Sequence, residues 1–198
     1  RMAQLRRAAR QSLLSSLLPA LLSAAAAHAE PAVYRLDPEH SFVHFEVRHF
    51  GTSTTRGRVG PLQAEVMLDR AAGRGEVNLR VATASVSTGL RFFDARLREE
   101  DLLASAAYPD AFFVATQFRF DGDRLAEVRG EFTLRGTSRP LELRALRFAC
   151  RTNAPDGREV CGGDFEGEFN RSDFGMSFGV PFVADRVRLV VQVEGVRR

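Results

Sequence analysis

The 198-residue chain is long enough for one domain with a sizeable core. Its 28 basic side chains, all Arg, stand against 25 acidic ones for a net charge of +3; four of those Arg fall in residues 1–29, which hold no acid, so residues 30–198 carry 24 against 25, a net of −1. That balance does not support nucleic-acid binding, which requires a clustered basic face.

Residues 1–29 read as a secretory signal peptide. Arg1, Arg6, Arg7 and Arg10 make a basic start, Ser12 to Ala27 is apolar or small throughout, and Ala27-His28-Ala29 is a small-x-small cleavage signal before Glu30. The run is too short to span a bilayer comfortably and lacks a polar-face pattern, which counts against an anchor or an amphipathic helix. Residues 30–198 are then the expected domain, exported to the periplasm or secreted.

From Val33 to Phe50 the pattern is a strand, with Val43, Phe45 and Val47 alternating with His44, Glu46 and Arg48. Gly51 to Gly60 is a loop rich in Gly, Ser and Thr. Leu62, Ala64, Val66 and Leu68 form the next apolar face, Ala72 to Gly75 turns the chain, and Val77, Leu79, Val81 and Thr83 continue the meander. Gly89 to Ala107 differs: it is rich in Leu, Ala, Arg and Glu with weak helical spacing, and Tyr108-Pro109 ends it. One or two short helices there could cover an open end of a sheet or barrel.

Phe112, Val114, Thr116, Phe118 and Phe120 are expected to share one strand face, with a turn at Asp121 to Asp123. Gly130 to Leu143 then reads as a hairpin: Phe132 and Leu134 alternate with charged neighbours, the pattern breaks at Gly136, and Leu141 and Leu143 resume it. Leu146 and Phe148 extend the second strand. Phe165, Gly167 and Phe169 mark another strand, Arg171 to Gly179 a loop, and Val187, Leu189, Val191 and Val193 the last strand.

Cys150 and Cys161 flank the turn signal Ala154-Pro155-Asp156-Gly157. A turn centred between Pro155 and Asp156 puts 150 opposite 161, close enough for a disulfide. Eight or nine strands at this spacing fit a closed antiparallel barrel, with a two-sheet sandwich as the rival fold.

Catalytic signals are weak. The chain has no GxSxG, HExxH, Gly-rich phosphate loop or CxxC. His40 and His44 share a strand face but stand about 13 Å apart in an extended strand, too far for one metal ion. Asp94, Glu99, Glu100 and Asp101 read as a polar helix face. The 16 Phe, with no Trp, are more informative: those in alternating strands are either a filled core, which composition alone favours, or the wall of an apolar cavity.

Five stretches carry a resemblance: YRLDPEHSFVHFEVRHFG, SVSTGLRFFDARL, YPDAFFVATQF, GEFTLRGTSRPLEL and NRSDFGM, in this order across Tyr34 to Val193. In them the chain resembles the YceI-like family of exported lipid-binding proteins. The resemblance implies an all-β, antiparallel, lipocalin-like β-barrel of about eight strands with a short helical insert. It also implies a bound isoprenoid lipid, a polyisoprenoid or an isoprenoid quinone, carried or stored without catalysis. No catalytic residue, metal or further cofactor comes with it, and a homodimer and transient contact with a membrane or lipid donor are compatible with it.

His40, Ser41, Ser87 to Gly89 and Arg171 to Gly175 match the family by motif. The family shows a His where this chain has Arg96, and an aromatic pair where it has Leu102-Leu103; a different head-group preference or simple drift would each fit. Alternation and resemblance together nominate Phe45, Val47, Thr88, Arg96, Phe112, Val114, Phe118, Phe132, Phe169 and Phe174 as ligand-binding, with Arg96 receiving the polar end. The competing functional reading is a non-catalytic structural or partner-binding β-domain; a hydrolase is more remote.

Overall fold

The computed structural model describes residues 30–198, so the expected signal peptide lies outside the described residues. Ten strands form one antiparallel sheet: β1 (Ala32–Leu36), β2 (Phe42–His49), β3 (Ser53–Val59), β4 (Gln63–Asp69), β5 (Arg74–Ala82), β6 (Asp110–Asp121), β7 (Arg124–Leu134), β8 (Thr137–Thr152), β9 (Glu159–Asn170) and β10 (Val183–Arg197). The sheet order β1-β4-β5-β6-β7-β8-β9-β10 closes on itself through β1–β10 pairing, which makes an eight-strand barrel. The 15-residue β10 is the seam: one edge pairs with β9 along most of its length, while the other pairs with β2 and then with β1.

The breaks at 37–41 and 60–62 divide two long barrel positions into β1/β2 and β3/β4. They are stitched together by Leu62 N–H donating to the Ser41 carbonyl at 2.9 Å. Closure leaves the barrel body without a free edge. The sandwich alternative is thereby excluded.

Local chemistry sets the turns. Arg135 and Gly136 join β7 to β8 and both have positive φ, the two-residue geometry whose twist suits a hairpin. The β8–β9 register pairs Cys150 with Cys161, and the two are disulfide-bonded. The turn centred between Pro155 and Asp156 thus sets the cross-link as its position predicts.

Two bulges correct the expected alternation. In β6 the register shifts between Ala115 and Gln117, so Ala111, Phe113 and Ala115 point inward before it and Phe118 and Phe120 after it. Phe112 and Val114, expected inward, are exposed on the outer face. In β8 a shift between Ala145 and Arg147 turns Leu146 outward and leaves Ala145 and Phe148 facing the core. A bulge adds one residue to one strand and flips the phase of all that follows, while raising the local twist.

The barrel's two ends differ in their connections. The lower end carries the short β4–β5 and β6–β7 turns and the 153–158 loop. The upper end carries the β2–β3 turn, the β7–β8 turn, the 83–109 insert with α1 (Arg91–Leu97), and a 3-10 turn at Arg171–Phe174 leading into β10. The insert holds one helix followed by hydrogen-bonded turns through Tyr108.

Candidate functional site

Inward side chains leave the barrel interior partly empty. An upper cavity of about 200 Å³ lies under the insert, and a lower one of about 100 Å³ reaches toward the disulfide. Leu79, Phe113, Leu143 and Val191 belong to both walls. These four, from β5, β6, β8 and β10, form a waist between two chambers stacked along the barrel.

The upper wall combines aliphatic positions of β2, β5, β8 and β10 with Phe45, Phe132 and Phe169. Phe45 sits opposite Gly57 on β3, where a Cβ would meet its ring at 2.5 Å, so only glycine lets the ring lie there. Phe132, Phe169 and Phe174 pack as a triad with all three centroid distances 5.3 Å. The roof comes from Leu97, Leu102 and Leu103 of the insert and Met176, just after the 3-10 turn. No polar atom faces this upper chamber.

Two polar residues touch that wall and keep their polar ends away from it. Thr83 donates its hydroxyl to the Tyr108 carbonyl at 2.8 Å. Arg171 is buried, and its guanidinium donates to the carbonyls of Ala184, Met176 and Val183 at 2.9, 2.7 and 2.8 Å. Burial pushes its pKa down, and the three carbonyls offset the lost hydration. The residue fastens the 3-10 segment to β10.

The nominated residues therefore divide. Phe45, Val47, Phe132 and Phe169 line the upper chamber and Phe118 the lower. Phe174 is buried behind Phe132 and Phe169. Phe112 borders the upper chamber from the outer face of β6, and Val114 does not reach it. Thr88 gives its N–H and hydroxyl to the Asp94 carboxylate at 2.6 and 2.7 Å, which holds that carboxyl below its usual range and ties down the start of α1. Arg96 forms a two-pronged pair with Asp101 at 2.7 Å for both contacts, and its guanidinium lies 4.6 Å from the Phe178 ring centroid. Neither Thr88 nor Arg96 belongs to the cavity wall.

Sequence reasoning missed Phe113, whose phase the β6 bulge hid. Alternation did place Leu79, Leu143 and Val191 inward, although nothing marked them as a waist. The Leu102-Leu103 pair, a departure from the family pattern, supplies part of the roof.

A family model described as a YceI-like domain matches residues 34–195, which include every residue lining the two chambers. The chain belongs to the YceI-like family. Protein YceI of Escherichia coli O157:H7 is 31% identical over 192 residues, covering 96% of this chain and 99% of that protein. Protein YceI of Salmonella arizonae is 30% identical over the same length and coverage.

Solved structures share the fold. BcnA of Burkholderia cenocepacia superposes with a TM-score of 0.67 at 20% identity, over 80% of this chain and 98% of that one. A YceI protein of Campylobacter jejuni gives 0.66 at 23% identity, over 76% and 90%. A polyisoprenoid-binding domain from Saccharophagus degradans, implicated in plant cell wall breakdown, gives 0.56 at 18%, over 83% and 98%. These likenesses, all under 25% identical, show a shared fold.

Proposed function

We propose that the protein binds an isoprenoid lipid, a polyisoprenoid or an isoprenoid quinone, in its two-chambered cavity and carries or stores it in the periplasm without chemical change. The observation that carries this reading is the upper chamber, which faces no polar atom and shares four hydrophobic wall residues with a second apolar chamber beneath it. Such a wall recognises a tail by burial alone, at about 0.8 kcal/mol per methylene removed from water. It offers no group to orient or activate a reacting bond. The polyisoprenoid-binding domain of the same fold supports the choice of ligand class.

A plain structural domain has no use for an empty apolar interior, since voids cost stability through lost packing contacts. The test is to purify the protein gently, extract it with organic solvent and identify the extract by mass spectrometry, then titrate the stripped protein with farnesol. A co-purifying quinone or polyprenyl species, or saturable farnesol binding, is the expected result. Absence of both would overturn the assignment.

A further inference from the structure

Four phenylalanines stand in water at the upper end: Phe92 at 88% exposure, Phe182 at 65%, and Phe50 and Phe178 at 58% each. Two of them touch, and the other two lie on the neighbouring segments. Phe50 of the β2–β3 turn stacks on Phe182 with centroids 5.8 Å apart, and its N–H donates to the Phe182 carbonyl at 2.7 Å. Phe178 belongs to the same segment as Phe182 and lies under the Arg96 guanidinium. Phe92 precedes Arg96 by four residues in α1, on the same helical face. Leu90, also exposed, flanks it.

The segments that display these rings also roof the cavity. Leu97 of α1 and Met176, two residues before Phe178, line the upper chamber. Its wall faces no polar atom inward, so the head group of a bound amphiphile must stay outside the barrel. Charge at the rim is uneven. Among the described residues, Arg48 and Arg91 carry no ion pair, and they sit two residues from Phe50 and beside Phe92. Nearby, Asp101 is paired with Arg96, while Asp185 accepts hydrogen bonds from the N–H and hydroxyl of Ser172 and keeps its charge. Glu99, Glu100 and Asp173 remain exposed at a greater distance along the chain from either Arg.

We propose that this aromatic rim docks the protein on a lipid bilayer bearing anionic phosphate head groups, so that a tail passes between bilayer and cavity without crossing water. The identity of the cargo rests on the function proposed above; the docking surface rests on the rim. Rings exposed by more than half are separate knobs on three segments. A fluid bilayer admits such knobs without preformed holes, aromatic residues favour its interfacial zone, and unpaired Arg beside them meets lipid phosphates. A bilayer is also the one place where a water-insoluble isoprenoid is abundant, which ties the rim to the cavity it surrounds.

The test compares wild type, the variant F50S/F92S/F182S and the variant R48E/R91E, all with the same N-terminus, in flotation with vesicles of phosphatidylcholine doped with phosphatidylglycerol. Wild type should float. The triple serine variant should lose about tenfold in partitioning for each ring removed. The charge-reversed variant should float weakly on doped vesicles and behave as wild type on phosphatidylcholine alone. Circular dichroism and farnesol titration of each variant should match wild type, because none of these residues lines the cavity. Equal flotation of the triple variant and wild type overturns the proposal, as does a wild-type homodimer that the serine changes dissolve, since a second copy would then cover the rim. Normal flotation without farnesol binding would overturn the cargo while leaving the docking surface intact.

Discussion

The two ends of the barrel are held by different means. At the lower end Cys150 and Cys161 cross-link β8 to β9, and the buried Tyr34 hydroxyl donates to Glu159, which also receives Arg70 at 2.8 Å. Connections there are short. At the upper end two long segments cross the opening, secured by side chains that reach backbone carbonyls or a single carboxylate: Arg135 to Glu100 and Leu102, Arg171 to β10, Thr88 to Asp94. The covalent link thus sits where nothing needs to pass. The end with exposed rings and a leucine roof is fastened by bonds that can open singly, because local stability follows contact density and a passage must come from its low end.

The sharpest way to break this contrast is to remove the covalent link. The double variant C150S/C161S is expected to lose about 3 kcal/mol on the loop-closure account for a closed loop of about 12 residues. The loss should appear as a lower denaturant midpoint. Farnesol affinity in native buffer should not change, because the link lies at the far end from the roof. An unchanged midpoint with weakened farnesol binding would show that the two ends are not separable.

A second change acts between the ends. Val191 stands at the waist, and V191F should cost about 1–3 kcal/mol by overpacking. It should also seal the lower chamber. Val191 lines the upper chamber as well, so farnesol should lose some affinity, while geranylgeraniol should lose more, by about 0.8 kcal/mol for each further methylene kept out of the lower one. Equal losses for the two alcohols would mean that the chambers do not act in series.

Most of the barrel could be read from the chain because a period of two survives wherever a strand is regular. Val43, Phe45 and Val47 line the cavity where alternation puts them, as do Leu79 and Val81. The reading failed where both phases looked apolar. In Phe112-Phe113-Val114-Ala115 either set can face inward, and the bulge at Thr116 lets the inner phase switch from odd to even positions. Nothing local marks a bulge whose cause is the twist of the closed sheet. The disulfide was legible because a short turn fixes register over a few residues. The roles of Thr88 and Arg96 were not, because each depends on a partner, Asp94 or Asp101, that the folding of the insert selects.

Tyr34 reports on the lower end alone. Removing its hydroxyl in Y34F leaves Glu159 its contact with Arg70 and should cost about 1–2 kcal/mol at neutral pH. Burial, with the hydrogen bond to Glu159 adding to it, pushes the Tyr34 pKa up from 10.0 to about 12. A raised folded-state pKa means that the stabilisation is complete below pH 10 and is lost as pH climbs through about 12. Wild type should therefore lose more stability than Y34F over that window, as followed by alkaline denaturation of both proteins. Parallel curves would remove Tyr34 from the reinforcement of this end.

The smallest effect is expected at Arg96, where the two ends differ most in character. Its pair with Asp101 is largely solvated, so R96A should shift thermal stability barely beyond measurement error. The hydrogen bond from Arg96 holds the Asp101 carboxyl below its usual range, so the small contribution is present above that range and disappears as pH falls through the lowered value. R96A should show no such acid-side loss. Farnesol and farnesoic acid should each bind R96A as they bind wild type, since the guanidinium lies over Phe178, outside the cavity wall. Vesicle flotation should weaken slightly, because Phe178 loses the cation that lies over it. If R96A instead loses affinity for farnesoic acid and keeps it for farnesol, Arg96 receives an anionic head group directly, and the rim both docks the protein and selects its ligand.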